Sequence, residues 1–351
     1  MAQVAKRAGV HTTTVSLALR NHPSLPEATR ERIRKLAEEM GYRPDPNLRA
    51  LMAYRHGMQP RRHLQILAYV TNWDARWAWK ELPAHAAFFT GAEARASTLG
   101  YQLEHFWMGE PQMSDRRLGD ILHARGIHGV ILASHQYDKD ERLDLDWSRL
   151  SAVKIDYFPH EPQLHIVTND QHSILRLVTT KVLAAGYRRV GLVLHRDWDR
   201  GVDYAMSSGF VGEQQRLPAR DRVPIHYIEK DGQPPPDEKW GGRAPLGKLA
   251  KWLDRYRPDA VLGYGPAVLP RLQELGLSVP QDLAFADILL QEPDGRVAGV
   301  RHNCLRVGEL AVELLAGQLQ MNSYGLPPFP TATLVEGTWF DGASLTRRVL
   351  A

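Results

Sequence analysis

Small apolar residues at Val4, Ala5, Ala8, Val10, Val15 and Leu19 recur at spacings that place them on the inner faces of two short helices. Gly9 stands between the two, where a tight turn needs a residue free to take a positive φ. The second helix, about 11–19, is too polar on its outer side for a core element, with Thr12, Thr13 and Ser16 there. A third helix is expected from near Pro26 through Ile33, Leu36, Ala37 and Met40. Ser24 and Glu27 have capping-box spacing, and Pro26 is tolerated in a first helical turn. Pro44 and Pro46 then interrupt the pattern before residues 47–55, good helix formers in a stretch too short to hold a helix alone in water.

Beyond residue 62 the pattern alternates. Apolar runs at 64–70, 101–106, 128–133, 152–156, 189–194, 224–228, 260–263 and 283–286 read as strands. Between them lie helical stretches at 84–99, 115–125, 173–185, 202–215, 246–256 and 267–275, with a short one around Leu145. Strands alternating with helices imply right-handed crossovers and parallel sheets, and two such series imply two similar lobes. The helix at 305–319 is expected to cross back between lobes, and 331–336 to close the second sheet.

Charge sharpens this picture. Residues 1–62 hold 12 Lys and Arg against 5 acids, a local charge of +7, while the whole 351-residue chain stands at +4 and the remainder at −3. A basic helical head on an acidic body is what phosphate neutralisation requires, whereas a three-helix piece of a larger core needs no such bias. Cys304 is the single cysteine, so no internal disulfide can form and the composition suits a reducing cytosol. The N-terminus has no apolar signal-peptide core and no run approaches a membrane span, so a cytoplasmic protein is expected and a periplasmic one disfavoured.

The run from Val4 through Ala5-Lys6-Arg7-Ala8-Gly9-Val10-His11-Thr12-Thr13-Thr14-Val15 to Ser16 resembles the DNA-reading head of the LacI-type (lactose repressor-like) family of bacterial transcription regulators. Thr29-Arg30-Glu31-Arg32-Ile33 and Gly41-Tyr42-Arg43-Pro44 are similar to that family's third helix and hinge entry. The resemblance is strong to about residue 53 and weaker, though continuous in organisation, beyond it. It implies a second helix in the major groove, with Thr12, Thr13 and Leu17 toward bases and Thr14, Ser16 and Asn21 on phosphates. Leu17 departs from the long polar or basic residue many relatives carry, which suits contact with a thymine methyl. The resemblance further implies a hinge that forms on DNA, entered at Tyr42, with Leu51 wedged between base pairs and Leu48 one turn earlier. The alternative for both leucines is helix–helix packing alone. Only Met1, Ala2 and Gln3 precede Val4, fewer residues than relatives carry, which leaves open a natural start a few residues upstream.

For the body the resemblance implies a type I periplasmic-binding-protein-like fold. The expected architecture is therefore α/β: a helix-turn-helix head at 1–42, a hinge helix and linker at 43–61, and a two-lobed effector-binding and dimerisation domain with parallel sheets at 62–345. In open parallel sheets ligands bind beyond the carboxyl ends of strands. The first such loop holds Trp73, Asp74 and Trp77, aromatic faces beside a carboxylate that suit a carbohydrate-like ligand, or else rings that pack the loop. Asp197, Trp198 and Arg200 follow the strand at 189–194, and His135, Tyr264 and Asp287 stand at other strand ends. Relatives that respond to sugars commonly place an arginine three residues before a Gly-Phe pair; here the pair is Gly209-Phe210 and the position is Met206, so that cationic anchor is missing, and either the effector is unlike the usual monosaccharides or Arg200 reaches in instead.

Chemistry is not indicated. There is no Walker loop, no dinucleotide fingerprint and no Gly-x-Ser-x-Gly elbow, and the histidines lack partners at metal spacing. The expectation is a homodimeric regulator, a repressor, on double-stranded operator DNA, modulated by a small molecule between the lobes, with no cofactor, metal, membrane or catalytic residue. The competing readings are a soluble solute-binding protein or sugar-processing enzyme, and a constitutive regulator whose cleft takes no ligand.

Overall fold

The computed structural model describes residues 2–19, 22–40, 64–136, 139, 142–229 and 245–348. The head consists of α1 (Ala2–Ala8), α2 (Thr12–Leu19) and α3 (Glu27–Glu39). Val4, Ala5, Val15, Ala18, Ile33 and Ala37 close a small core between them, the faces the apolar spacing marks. Gly9 makes the turn from α1 to α2 at φ +67°. The expected capping box does not form. Pro26 itself is the N-cap of α3, at φ −56° and ψ 144°, with no side-chain cap. Ser24 Oγ lies instead 2.7 Å from His22 Nδ1.

The first lobe is built from β1 (Gln65–Thr71), α4 (Pro83–Thr98), β2 (Tyr101–Trp107), α5 (Asp115–Ala124), β3 (Gly129–Leu132), β4 (Ser151–Ile155) and β5 (His165–Asn169). The chain then crosses into α6 (Gln171–Ala184), β6 (Val190–His195), α7 (Arg196–Gly201), α8 (Ala205–Gln215), β7 (His226–Ile228), α9 (Leu246–Tyr256), β8 (Ala260–Gly263), α10 (Gly265–Glu274), β9 (Ala284–Asp287) and β10 (Ala298–Arg301). Around Leu145 no α-helix forms; a short 3-10 turn follows at Trp147–Arg149. The stretch at 202–215 is shorter than expected, since α8 begins only at Ala205.

After β10 the chain returns through α11 (Cys304–Met321), β11 (Ala332–Val335) and β12 (Thr338–Phe340). One sheet runs β11-β5-β4-β3-β1-β2 and the other β12-β10-β9-β8-β6-β7. All pairs are parallel except β12 against β10. The expectation that 331–336 closes the second sheet is therefore corrected: β11 pairs with β5 of the first lobe, Ala332 opposite Ile166. The reason is α11. Its Val307, Ala311, Val312, Leu315 and Ala316 are buried in the first lobe's core with Phe88 and Ala92 of α4, so the chain emerging from α11 is already on that side. The chain then crosses once more, and β12 edges the second sheet. Three crossings join the lobes, near residues 170, 302–303 and 336–337.

Where α4 and α11 meet, glycines face backbone. A Cβ on Gly91 would lie 2.0 Å from the Leu305 carbonyl oxygen, and one on Gly308 would lie 2.0 Å from that of Phe88. The two helices touch main chain to main chain, which holds α11 tight to the first lobe beside the interlobe seam.

Candidate nucleic-acid interface and effector cleft

In α2 the residues divide as a groove-reading helix requires. Val15 and Ala18 are fully buried, Thr12 and Thr13 are exposed, and Thr14, Ser16 and Leu17 are half-buried. The helix is entered by an interaction not anticipated in the sequence. His11 Nδ1 accepts from the Thr13 amide at 3.3 Å and lies 2.8 Å from the Thr13 hydroxyl. A nitrogen already accepting from the amide is unprotonated, so the hydroxyl donates to it as well. His22, Pro23 and Ser24 repeat the arrangement before α3, with the Ser24 amide 3.3 Å from His22 Nδ1. The signal was present as a His-x-Thr and a His-x-Ser, each just ahead of a helix. Lys6 and Arg7 are exposed in the last turn of α1. Asn21, Tyr42, Leu48 and Leu51, with the rest of the hinge, lie outside the described residues.

In the body the strand-end residues fall into two groups. The loop after β1 splits its tryptophans. Trp73 is buried, accepts at its carbonyl from Trp107 Nε1 at 2.6 Å and meets His85 edge-on at 5.8 Å. Trp77 turns the other way, 4.5 Å from the His105 ring of edge strand β2, with Lys80 Nζ 4.2 Å over its face. Asp74 is exposed and ion-paired to Lys139. Trp77 and Asp74 therefore dress the rim of the first lobe. His135 donates from Nδ1 to the Ala133 carbonyl at 3.1 Å.

A polar cluster occupies the carboxyl ends of β1, β3, β4 and β5; Ser134 and Asn169 are visible in the sequence as strand-end residues, whereas Tyr69, His85 and Asp156 are not. His85 Nδ1 lies 2.9 Å from Ser134 Oγ, and Tyr69 Oη 3.4 Å from the same atom. Asp156 accepts from Thr168 Oγ1 at 2.5 Å, and Asn169 Nδ2 donates to Cys304 Sγ at 3.4 Å. Ser134 and Asp156 are non-glycine residues in the left-handed region, at φ 54° and 64°, the kind of backbone strain that collects at functional sites. Burial pushes His85 down to about 4, Asp156 up to about 6 and the Cys304 thiol up to about 12. Cys304 is thus a packing residue, not a nucleophile.

On the second lobe His195, Trp198 and Tyr264 form a ring stack, with centroids 4.7 and 5.2 Å apart. Arg200 is exposed and Asp197 half-buried. The acid this segment buries is Asp199, which accepts from the Ser207 amide at 3.0 Å and from Tyr227 Oη at 3.1 Å, holding α7 to α8 and β7. Asp287 is buried and accepts from the Leu289 amide at 2.8 Å and the Gly265 amide at 3.1 Å; burial raises it to about 6. Met206 packs in the second lobe's core with Ile174, Val178 and Phe210.

Between the lobes lies a cavity of about 460 Å³, bordered by Pro83, Ala84, Leu290, Arg301, Cys304 and Val335 among others. None of the nine sequence-predicted effector residues borders it. Its Arg306 is held by Glu309 and Glu313 at 2.8 and 3.0 Å. Among the described residues no group of three His, Cys, Asp or Glu is placed to hold a metal ion, and no helix is long and apolar enough to cross a membrane.

A helix-turn-helix head joined to a two-lobed, parallel-sheet body crossed three times by the chain defines a transcription regulator with a periplasmic-binding-protein-like body. The model of bacterial regulatory proteins of the lacI family matches residues 1–45, and that of the periplasmic binding protein-like domain matches 179–344. The chain is 24% identical over 334 residues to the HTH-type transcriptional repressor CytR of Escherichia coli K12, covering 93% of this chain and 91% of that protein. It is 27% identical over 309 residues to the regulator IpsA of Corynebacterium glutamicum, covering 81% of each. Its fold matches the regulator CelR in a cellobiose complex, with a TM-score of 0.58 at 21% identity over 97% and 98% of the two chains. It also matches the lac repressor dimer bound to operator and the anti-inducer ONPF, with a TM-score of 0.57 at 15% identity over 98% of each. The chain thus carries a lacI-family helix-turn-helix head and a periplasmic binding protein-like domain, and the relatives it matches are LacI-type regulators. Its relatives are regulators rather than enzymes.

Proposed function

We propose that this regulator is a homodimeric repressor that binds a pseudo-palindromic operator through two heads at 1–42 and two hinges at 43–61. The body at 62–345 holds a carbohydrate-like effector between its lobes. The observation that carries the reading is α2: buried Val15 and Ala18 on one side and exposed Thr12 and Thr13 on the other, within a segment of charge +7. Thr12, Thr13 and Leu17 read base edges, and Thr14, Ser16 and Asn21 hold phosphates. Two-fold symmetry follows from presenting two heads to one site. The effector acts by preferring one arrangement of the lobes and so shifting the hinge equilibrium. Leu51 wedges into the minor groove, with Leu48 facing the groove or the partner hinge and Tyr42 at the entry.

The test is fluorescence anisotropy of the full chain on operator candidates drawn from the DNA flanking its own reading frame, over a salt series. The expected result is a steep loss of affinity with salt, and for Leu51→Ala a selective loss on operator with little change on random duplex. Equal losses on both DNAs would remove the wedge. No salt-dependent binding to any duplex would remove the reading as a whole.

A further inference from the structure

Two side-chain acceptors at the interlobe seam are unfilled. Among the described residues, Asn169 Oδ1 and Gln171 Oε1 are buried without a partner, in side chains that are 1% and 6% exposed. Both are acceptors. Asp156, just past the end of the neighbouring strand β4, adds a carboxylate that accepts from the Thr168 hydroxyl. Asp287 adds a second carboxylate at the end of β9 in the facing lobe, held by two backbone amides. Neither acid is in an ion pair among the described residues. Lys154, the buried cation on β4, donates to the Pro159 carbonyl at 2.7 Å. Met206 offers the seam no charge.

The two acids flank one segment. Cys304 Sγ accepts from Asn169, and two residues earlier His302 Nε2 donates to the carbonyl of Ile288, the neighbour of Asp287, at 3.0 Å. The cavity of about 460 Å³ is bordered by Cys304, so the orphan amide oxygen of Asn169 is one side chain away from free volume. Nearby aromatic faces are supplied by Trp198 and Tyr264, 5.2 Å apart, a surface that attracts a cation. A protonated nitrogen offers these acceptors and carboxylates only donors and a positive charge, whereas the carboxylates repel an anion.

We propose that the cleft recognises a ligand bearing a protonated nitrogen, an amino sugar or a similar polyol-sized amine, whose N–H groups reach Asp156 and the Asn169 side-chain oxygen while Asp287 supplies negative potential from the second lobe. This rests on the interlobe effector reading above. Burial that lifts both carboxylates to about 6 agrees with sites awaiting a counter-charge.

The test is thermal shift of the full-length protein with glucosamine, galactosamine and agmatine, set against glucose, galactose, glucuronate and glutarate at matched ionic strength. At least one amine should raise the melting temperature in a dose-dependent way, with no neutral or acidic compound matching it. Asp156→Asn should weaken that amine tenfold or more, the loss of one charge-assisted hydrogen bond. Because the acid is already pushed toward its neutral form, the amide should fold at least as well as the wild type, so loss of binding is not loss of structure. A larger shift from glucose or glucuronate, no shift from any amine, or an amine shift that survives Asp156→Asn overturns the proposal. Operator anisotropy on the same preparation keeps the two ideas separate: salt-dependent DNA binding without an amine response sinks only the ligand class.

Discussion

Gly308→Ala is a one-carbon change with a large expected cost. The new Cβ would lie 2.0 Å from the Phe88 carbonyl oxygen and 2.7 Å from the Ala92 amide nitrogen, where ordinary contact begins near 3.4 Å. Neither obstacle is a flexible side-chain tip, so α4 and α11 must separate by about 1.4 Å at the crossing. A gap of roughly 0.5–1 Å already forfeits a quarter to a half of the dispersion between packed atoms. The affected surface includes Phe88, Ala92, Val307, Ala311 and Leu315, all buried. Overpacking a core costs about 1–3 kcal/mol, and with backbone on both sides the upper end applies. At roughly 2–4 °C per kcal/mol for a body of this size, the melting temperature should fall by about 6–12 °C. The control is on the same helix. A Cβ on Gly317 meets nothing within 4 Å, so Gly317→Ala leaves only the backbone term, a gain of about 0.5–1 kcal/mol. Thermal unfolding followed by circular dichroism at 222 nm should therefore move in opposite directions for the two variants. Gly308→Ala melting within 2 °C of the wild type, or both variants shifting the same way, refutes the close-crossing argument.

Acidification should weaken the fold. Burial holds His105 and His195 down at about 4, so between pH 6.5 and 4 the unfolded chain binds protons that the folded chain does not. Stability then rises with pH across that window and is lost on the way down, by about 3 kcal/mol per histidine. His85 and His302 act in the same sense, while Asp156 and Asp287, raised to about 6, oppose them between pH 6 and 3.8. A urea midpoint no lower at pH 4.5 than at pH 7 contradicts this balance. Cys304 is 7% exposed with its thiol at about 12, so iodoacetamide at pH 8 should leave the native protein unlabelled and alkylate it fully in urea; native labelling would show that the seam opens. Thr13→Ala removes an exposed hydroxyl and its bond to His11, and on the proposed reading should cost about tenfold in operator affinity with little change on random duplex; an equal loss on both DNAs would place Thr13 on phosphate instead.

The head was legible in the chain because its apolar positions are few, periodic and small, and Gly9 marks a turn that demands positive φ. The lobes were legible from alternation. The strands that escaped notice were β5, β10 and β12; β7, β8 and β9 are as short but announce themselves as apolar runs between helical stretches. The site was read less well, and the reason is direction. Asp197 and Asp199 are two apart on α7, so they leave the helix on nearly opposite sides, and only packing decides which is buried. Trp73, Trp77 and Trp79 share one loop, yet Trp79 enters the core, Trp73 meets His85 and Trp77 caps the edge strand. Richness in aromatics announced a packed loop without saying which ring faces the cleft.

The three crossings decide what kind of coupling this body can support. A single tether would let the lobes twist freely, whereas three chain segments in one seam restrict them to rotation about a common axis. Two of the three are tied together, since Asn303 Nδ2 donates to the Glu336 carbonyl at 2.6 Å. The first is pinned at its exit, where Asp170 caps α6 by accepting from the Ser173 amide at 2.9 Å. The polar cluster of Asp156, Thr168, Asn169 and Cys304 sits against these same segments, and α11 carries the second crossing into the first lobe's core through its glycine contact with α4. A ligand that neutralises the cluster therefore acts at the pivot rather than at the tips of the lobes. On the proposed reading, small changes there reach the head by way of β1, the first strand after it in the chain.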